Sequence, residues 1–427
     1  MGGWEPERPE GRLTCMGIRM RSGRVAAGVV ATALLAGGCA SAQAAGPLKG
    51  VPAASAAPYG AADTTFGMNV LRAWCQSDTQ ANLVLSPASL ATGLGMAYLG
   101  ARGATAQAMA SVLHLPGGSA ADAALLAGLR ARTQAIAGLD GPGVKLAQSN
   151  QVWADPSLTT LRSYLNALAT AYSAGVDRVP LQTDPARAAQ EIDQEVSAAT
   201  DGQIPKLVSP SMLTGIGWVL TDALYLNADW SQPFQANETG PGPFTTAAGR
   251  TVTATYLNGG GYKVGRADGW TGVQLPYRGG KVSMVALLPP ASAGGSCALP
   301  SAAALHAITA STTSGSISLP KVSLRSSASL EGLLSGLGMG AAFGRQADFS
   351  GISPQAGGIG FVQQDATLQV TEKGTVAAAA TGVGIVATAT SAPKGPLVTF
   401  NRPYLLLITT STGEPLFLVR VANPVSS

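Results

Sequence analysis

The chain has 427 residues, 46% of them apolar and 12% charged, with a formal net charge of +4. That length and apolar content suffice for a large core, and six tryptophans with regular apolar runs exclude global disorder. The weak charge, with no basic stripe or aromatic-interleaved patch, argues against nucleic acid as a partner.

Residues 1–44 read as an export segment. Arg19, Arg21 and Arg24 precede the apolar run VAAGVVATALLAGG, and CASAQAAG follows as a small-residue cleavage zone. Glu5, Glu7 and Glu10 fit that pattern poorly and favour a start at Met16 or Met20. The run is too short and too rich in Gly and Ala for a membrane span. The small residues before Cys39 resemble a bacterial lipoprotein signal, although Ala36 stands where Leu is usual and Leu35 lies one place too far upstream. Lipidation at Cys39 and plain secretion both stay open, and either puts the mature protein outside the cytoplasm. Membrane anchoring would run through a lipidated Cys39 alone. Residues 45–63 read as a flexible linker, and 64–427 as a single domain without a composition break. Its two cysteines, Cys75 and Cys297, are read as separately buried thiols, though the compartment permits a bridge.

FGMNVLRAW, within 65–74, predicts a helix. NLVLSP (82–87) predicts a short strand, and Ser86-Pro87 stop it and open the helical run SLATGLGMAYLGA. TAQAMASVLHL predicts a second helix, ended by GGSAAD. LAQSNQVWAD (146–155) predicts a strand, and TLRSYLNALATAY and ARAAQEIDQEVSAAT predict amphipathic helices. WVLTDALYLNADW (218–230) reads as a long, largely buried strand. TVTATYLN, YKVGRA, GVQLPY and KVSMVALLP read as strands joined by Gly-rich turns. SISLPKVSLRSSASLEGLLSGLGM reads as strand then helix, GIGFVQQDATLQV (358–370) as a strand, and LVTFNRPYLLLITTSTGEPLFLVRVAN as two β runs joined by STGEP. Helices dominate early and strands late, without a βαβα rhythm, so the fold class is α+β.

Catalytic chemistry is hard to find. His114, on the apolar side of a helix, and His306, in another helical stretch, have neither HExxH spacing nor a Cys pair nor a G-x-S-x-G elbow. Ser318 and Lys321 have S-x-x-K spacing but sit in a strand around Pro320, with no K-T-G. No Walker loop, dinucleotide fingerprint, metal site or cofactor site is read, and the chain is not expected to be an enzyme. Asn237-Glu238-Thr239 matches a glycosylation acceptor.

One segment stands out. Between Lys373 and Lys394 no side chain is charged, and Ala, Gly, Thr and Val dominate. A connection this long needs a reason. A bent buried strand and a flexible linker are two readings. The third is a strand waiting outside its sheet: Val383, Ile385, Val386 and several Thr favour β structure, while small uncharged residues can slide between strands without a charge to desolvate.

NLVLSPASLATGLGMAYLGARGATAQAM, TDALYLNADWSQPF, VQLPYRGGKVSMVALLP, LPKVSL, ADFSGI, VTEKGTVAAAAT and FNRPYLLLITTSTGEPLFLVRVANP occur in an order and spacing that resemble the serpin family, over about residues 64–425. The resemblance, to a bacterial secreted member, implies about three β-sheets, eight or nine helices and an exposed reactive-centre loop at about 372–399. Glu372, Gly374, Thr375 and Ala377, Ala378, Ala379 and Ala380 match the hinge of inhibitory members. It implies an extracellular, monomeric suicide inhibitor that traps a target serine protease as a covalent acyl-enzyme when the cut loop inserts into the sheet. A non-inhibitory member, acting as a binding or chaperone-like module, is the alternative. The hinge count puts the attacked bond at Thr388-Ala389. A count back from Phe400 gives a bond near Ala392-Pro393, and Ala387 and Thr390 are further alternatives. All these residues are small, which implies an elastase-like or subtilisin-like target. Ser86 and Ser89 match the family's shutter, with Asp222 where many members have Asn and Gln364 where many have His. Trp230 matches the Trp beneath the point of first insertion, though it also reads as a plain core residue.

Overall fold

A computed structural model describes residues 46–117, 122–200, 202–293, 295–376 and 395–426. The first half of the chain supplies α1 (Ala57–Ser77), β1 (Leu83–Leu85), α2 (Pro87–Tyr98), α3 (Gly103–Val112), α4 (Ala123–Ala137), β2 (Val144–Ala154), α5 (Arg162–Tyr172), β3 (Val176–Arg178), α6 (Pro185–Ala199), α7 (Pro210–Leu213) and β4 (Trp218–Asp229). The second supplies β5 (Gly240–Thr245), β6 (Thr251–Ala267), β7 (Trp270–Pro276), β8 (Val282–Leu288), α8 (Ala302–Thr309), β9 (Ser314–Pro320), β10 (Val322–Ser329), α9 (Glu331–Leu334), β11 (Gln363–Val370), β12 (Gly374–Val376), β13 (Leu397–Thr399), β14 (Tyr404–Thr410) and β15 (Pro415–Val421).

The smaller sheet has the order β10-β11-β12-β4-β2-β3. The larger runs β1-β15-β14-β8-β7-β6-β9-β13, with β5 also on β6. The long β6 is common to two sheets. It pairs with β5 and β9 over its first part and with β7 over Lys263–Ala267, with an irregular step between Gly260 and Tyr262. Counted this way the fold has three sheets.

The sequence pattern accounts for the layering. β15 is buried on both faces along its whole length, as suits a strand inside a packed sheet. β11 alternates half-buried and buried residues, so only one of its faces meets the core. One apolar core gathers α1, α2, α4 and α5. A second, with Trp230, Phe244, Tyr277 and Phe400, fills the space between the sheets. α6 lays Ile192 and Val196 on Trp153 of β2 and Val219 of β4, while neighbouring Val152 and Ala154 face the other core. Ser86 starts α2 by accepting from Ser89 N at 3.2 Å, with Pro87 at the first helical position.

Several expectations need correction. Residues 45–63 are not linker throughout: α1 begins at Ala57, and Tyr59, Ala62 and Asp63 are buried. Earlier still, Leu48 N donates to Thr170 Oγ1, and Arg130 grips the carbonyls of Val51 and Pro52. Cys75 and Cys297 are joined in a disulfide, their Cα atoms 5.7 Å apart. Residues far apart in sequence meet where the end of α1 packs beside the loop before α8, a proximity that spacing does not reveal. His114 is exposed just beyond α3, at φ 51°, rather than on an apolar helix face. The strand expected over 358–370 begins only at Gln363, after a stretch containing Gly358 and Gly360. The segment expected as strand then helix holds two strands in different sheets, with the crossing at Lys321.

Candidate functional site: the hinge and the gap beneath it

β12 is three residues long and wedges between β11 and β4, antiparallel to both. Val370 lies opposite Thr375 on one side, and Thr375 opposite Ala228 on the other. Below that point no described strand lies between Trp218–Leu226 of β4 and Gln363–Leu368 of β11. The sheet therefore carries the first rungs of a central strand with an opening beneath them.

Local chemistry holds those rungs in place. A Cβ on Gly374 would lie 2.1 Å from the Ala228 carbonyl oxygen, so only glycine fits there. Thr371 N donates to Gly374 O at 2.9 Å, closing the turn between β11 and β12. Trp230, at the end of β4, reads the backbone of that turn. Its Nε1 donates to Thr371 O and its N to Lys373 O, each at 2.9 Å, and Phe234 N donates to Glu372 O at 2.8 Å. Tyr277 stacks on Trp230 with centroids 4.5 Å apart, and its hydroxyl shares a buried hydrogen bond with Thr375 Oγ1. Burial pushes the Tyr277 phenol far up, so it stays neutral. Lys321 Nζ donates to both carboxylate oxygens of Glu372, at 2.9 and 3.0 Å. Burial works to raise the Glu372 carboxyl, but hydrogen bonding and the Lys321 charge outweigh it and the net shift is downward.

Farther along the gap lies a cavity of about 390 Å³, lined in part by Ser86, Ser89, Thr221, Gln364, Leu90 and Phe361. Ser86 Oγ donates to Leu416 O at 2.8 Å, tying the start of α2 to β15. Asp222 sits opposite Asn150 in the β4–β2 ladder, and its side chain lies outside the described residues. So do Ala377, Ala378, Ala379 and Ala380, all the attacked-bond candidates from Ala387 to Ala392, and Cys39.

Two groups of expected residues thus come together. Glu372, Gly374, Thr375 and Trp230 meet at the top of the opening, and Ser86, Ser89 and Gln364 meet at the cavity. Sequence reasoning missed the roles of Tyr277 and Lys321. Both fall inside quoted motifs, VQLPY and LPKVSL, but nothing local says that one reaches Thr375 and the other Glu372. Among the described residues no group of three or more His, Cys, Asp or Glu could hold a metal.

A family model described as Serpin (serine protease inhibitor) matches residues 61–424. The chain belongs to the serpin family. By class it is a protease inhibitor, and no step of catalysis is assigned to it. An uncharacterized serpin-like protein of Thermococcus kodakarensis is 32% identical over 361 residues, 80% of this chain and 81% of that protein. The leukocyte elastase inhibitor of Bos taurus is 28% identical over 383 residues, 85% of this chain and 99% of that protein. Native protease nexin-1, solved with heparin, has the same fold at a TM-score of 0.74, with 23% identity over 87% of this serpin and 100% of that chain. Among the described residues no helix of the serpin is long and apolar enough to cross a membrane.

Proposed function

We propose that this serpin is an extracellular, monomeric suicide inhibitor of serine proteases with a shallow first pocket, elastase-like or subtilisin-like. The observation that carries this reading is β12: the hinge is seated between β11 and β4 above an opening. The protease serine attacks the Thr388 carbonyl. The bond to Ala389 breaks, the Ala389 amine leaves with a proton, and an ester to Thr388 remains. The freed arm then extends β12 down the opening and drags the protease with it, so deacylation stalls. About a dozen new backbone pairings at ~0.5–1.5 kcal/mol each supply on the order of 10 kcal/mol, comparable to the whole stability of a domain. Thr375 and Ala377 to Ala380 are small enough to pass between the strands. Ser86, Ser89, Gln364 and Asp222 form the gate lower down.

Two further observations support parts of this reading. The Cys75–Cys297 bridge suits an oxidising compartment, in keeping with export through residues 1–44. The name of the bovine elastase inhibitor suits a small-residue bait. Release of the mature chain and attachment through a lipidated Cys39 are told apart by the mass of the mature N-terminus.

The deciding experiment incubates the protein with elastase and with subtilisin and runs a denaturing gel. A covalent band at the summed masses is expected, and mass spectrometry on it locates the attacked bond. Cleavage without that band, with the protease still active, rejects inhibition in favour of a non-inhibitory role.

A further inference from the structure

Behind the opening, a buried ionic cluster holds α2 in place. Arg132 of α4 donates from Nε to Asp63 Oδ2 of α1 at 2.5 Å and pairs through Nη2 with Glu414 Oε1, between β14 and β15, at 2.9 Å. The same guanidinium donates through Nη1 to Thr92 Oγ1 and through Nη2 to Ala88 O, both on α2 and both at 2.8 Å. Asp63, Arg132 and Glu414 are each at most 4% exposed. Glu414 Oε2 is buried without a donor among the described residues. A cluster of two carboxylates and one guanidinium would bury a net negative charge if both acids were ionised, and that is costly away from water.

We infer that the buried cluster of Asp63, Arg132 and Glu414 holds one proton, on Asp63, in the resting fold, and that losing it loosens the clamp on α2. The proton leaves a neutral cluster around Arg132. α2 is the element at stake because it is pinned twice to the same hairpin. Ser86 reaches Leu416 O directly, and Ala88 and Thr92 reach Glu414 through Arg132. The next turn of α2 lines the cavity under the gap.

The surroundings leave few other titrating groups. α1 also brings Tyr59, whose hydroxyl donates to Leu125 O of α4. α5 brings Tyr172, which faces Arg132 and Gly95. α2 contributes only the Ala88 carbonyl and the Thr92 hydroxyl. Burial raises the Asp63 carboxyl well above its ordinary 3.8; Arg132 opposes that shift and Glu414 adds to it. An acid held protonated in the fold but ionised in the unfolded chain makes the fold bind more protons. Stability therefore falls as pH rises above 3.8 and levels off once the proton has left.

The test uses the full chain, wild type, Asp63→Asn and Glu414→Gln. Infrared spectra of the wild type at neutral pH should show the C=O stretch of a protonated carboxyl, absent from both variants; no such band in the wild type overturns the proposal. In thermal melts from about pH 5 to about pH 9, the wild type should lose about 3 °C relative to Asp63→Asn. A difference that does not change with pH overturns it too. If Asp63→Asn does not fold, Glu414→Gln gives the same comparison, and the wild-type band stands without either. Amide exchange in α2, corrected for the intrinsic rate, should quicken with pH in the wild type only. An α2 indifferent to pH removes the link from proton to clamp.

Discussion

The hydroxyl of Tyr277 lies 2.5 Å from Oγ1 of Thr375, and both side chains are buried. The pair joins the tyrosine just after β7 to the middle of β12, 98 residues on. Tyr277→Phe leaves the Thr375 hydroxyl buried without its partner, at a cost of about 1–3 kcal/mol to the seated hinge. Amide exchange at Thr375 and Val376 should then rise by about tenfold or more, while the stack on Trp230 persists. Exchange equal to the wild type would mean that the pair does not retain the hinge.

Thr375→Arg places a charge where 1% of the surface is exposed. Burying it unpaired is prohibitive, so the hinge cannot seat. The first cleavage of the loop should proceed at the wild-type rate, but the covalent band on a denaturing gel should disappear. A band of wild-type intensity would remove Thr375 from the inserting strand.

The Lys321–Glu372 pair should make hinge stability depend on acid. The Glu372 carboxyl is shifted below its ordinary 4.5, so its contribution is complete above that value and disappears as pH falls through the lower, folded-state value. Lys321→Ala should therefore melt below the wild type at neutral pH, with the two curves converging as the solution is acidified below 4.5. The pair is partly solvated, with 37% and 23% of the side chains exposed, so the gap should be small and should shrink in salt. Parallel melting curves at every pH would contradict the assignment.

Replacing Cys75 and Cys297 by Ser removes a cross-link over 222 residues. The cost should be about 2–4 kcal/mol, seen as a lower melting temperature of the uncut protein. Neither cysteine borders the gap, so the number of inhibitor molecules used per protease should not change.

Much of the fold was legible, because strong periodicities sit where packing rewards them. α2, α5, α6, β2, β4 and the final hairpin all follow their patterns. α4 was not read, although AALLAGLRARTQAIA carries it; its buried Arg132 breaks the apolar face, and only the tertiary partners Asp63 and Glu414 explain it. β9 and β10 looked like one strand because apolar alternation continues across Pro320, and only the change of sheet at Lys321 divides them. At the site, small residues flagged the hinge, since the insertion proposed above needs them. The residues that retain the hinge, Tyr277 and Lys321, carry ordinary local patterns and owe their roles to distant contacts.

The order β1-β15-β14-β8 bears on what severing the chain leaves behind. Any break within 377–394 frees a C-terminal peptide carrying β13, β14 and β15. Both cysteines lie upstream of the break, so no covalent link holds that peptide. It remains because β14 and β15 are interior strands, flanked by β1 and β8 and buried on both sides. The nicked molecule should thus travel as a single particle that separates into two polypeptides only in denaturant, and the peptide carries the Glu414 that closes the cluster around Arg132.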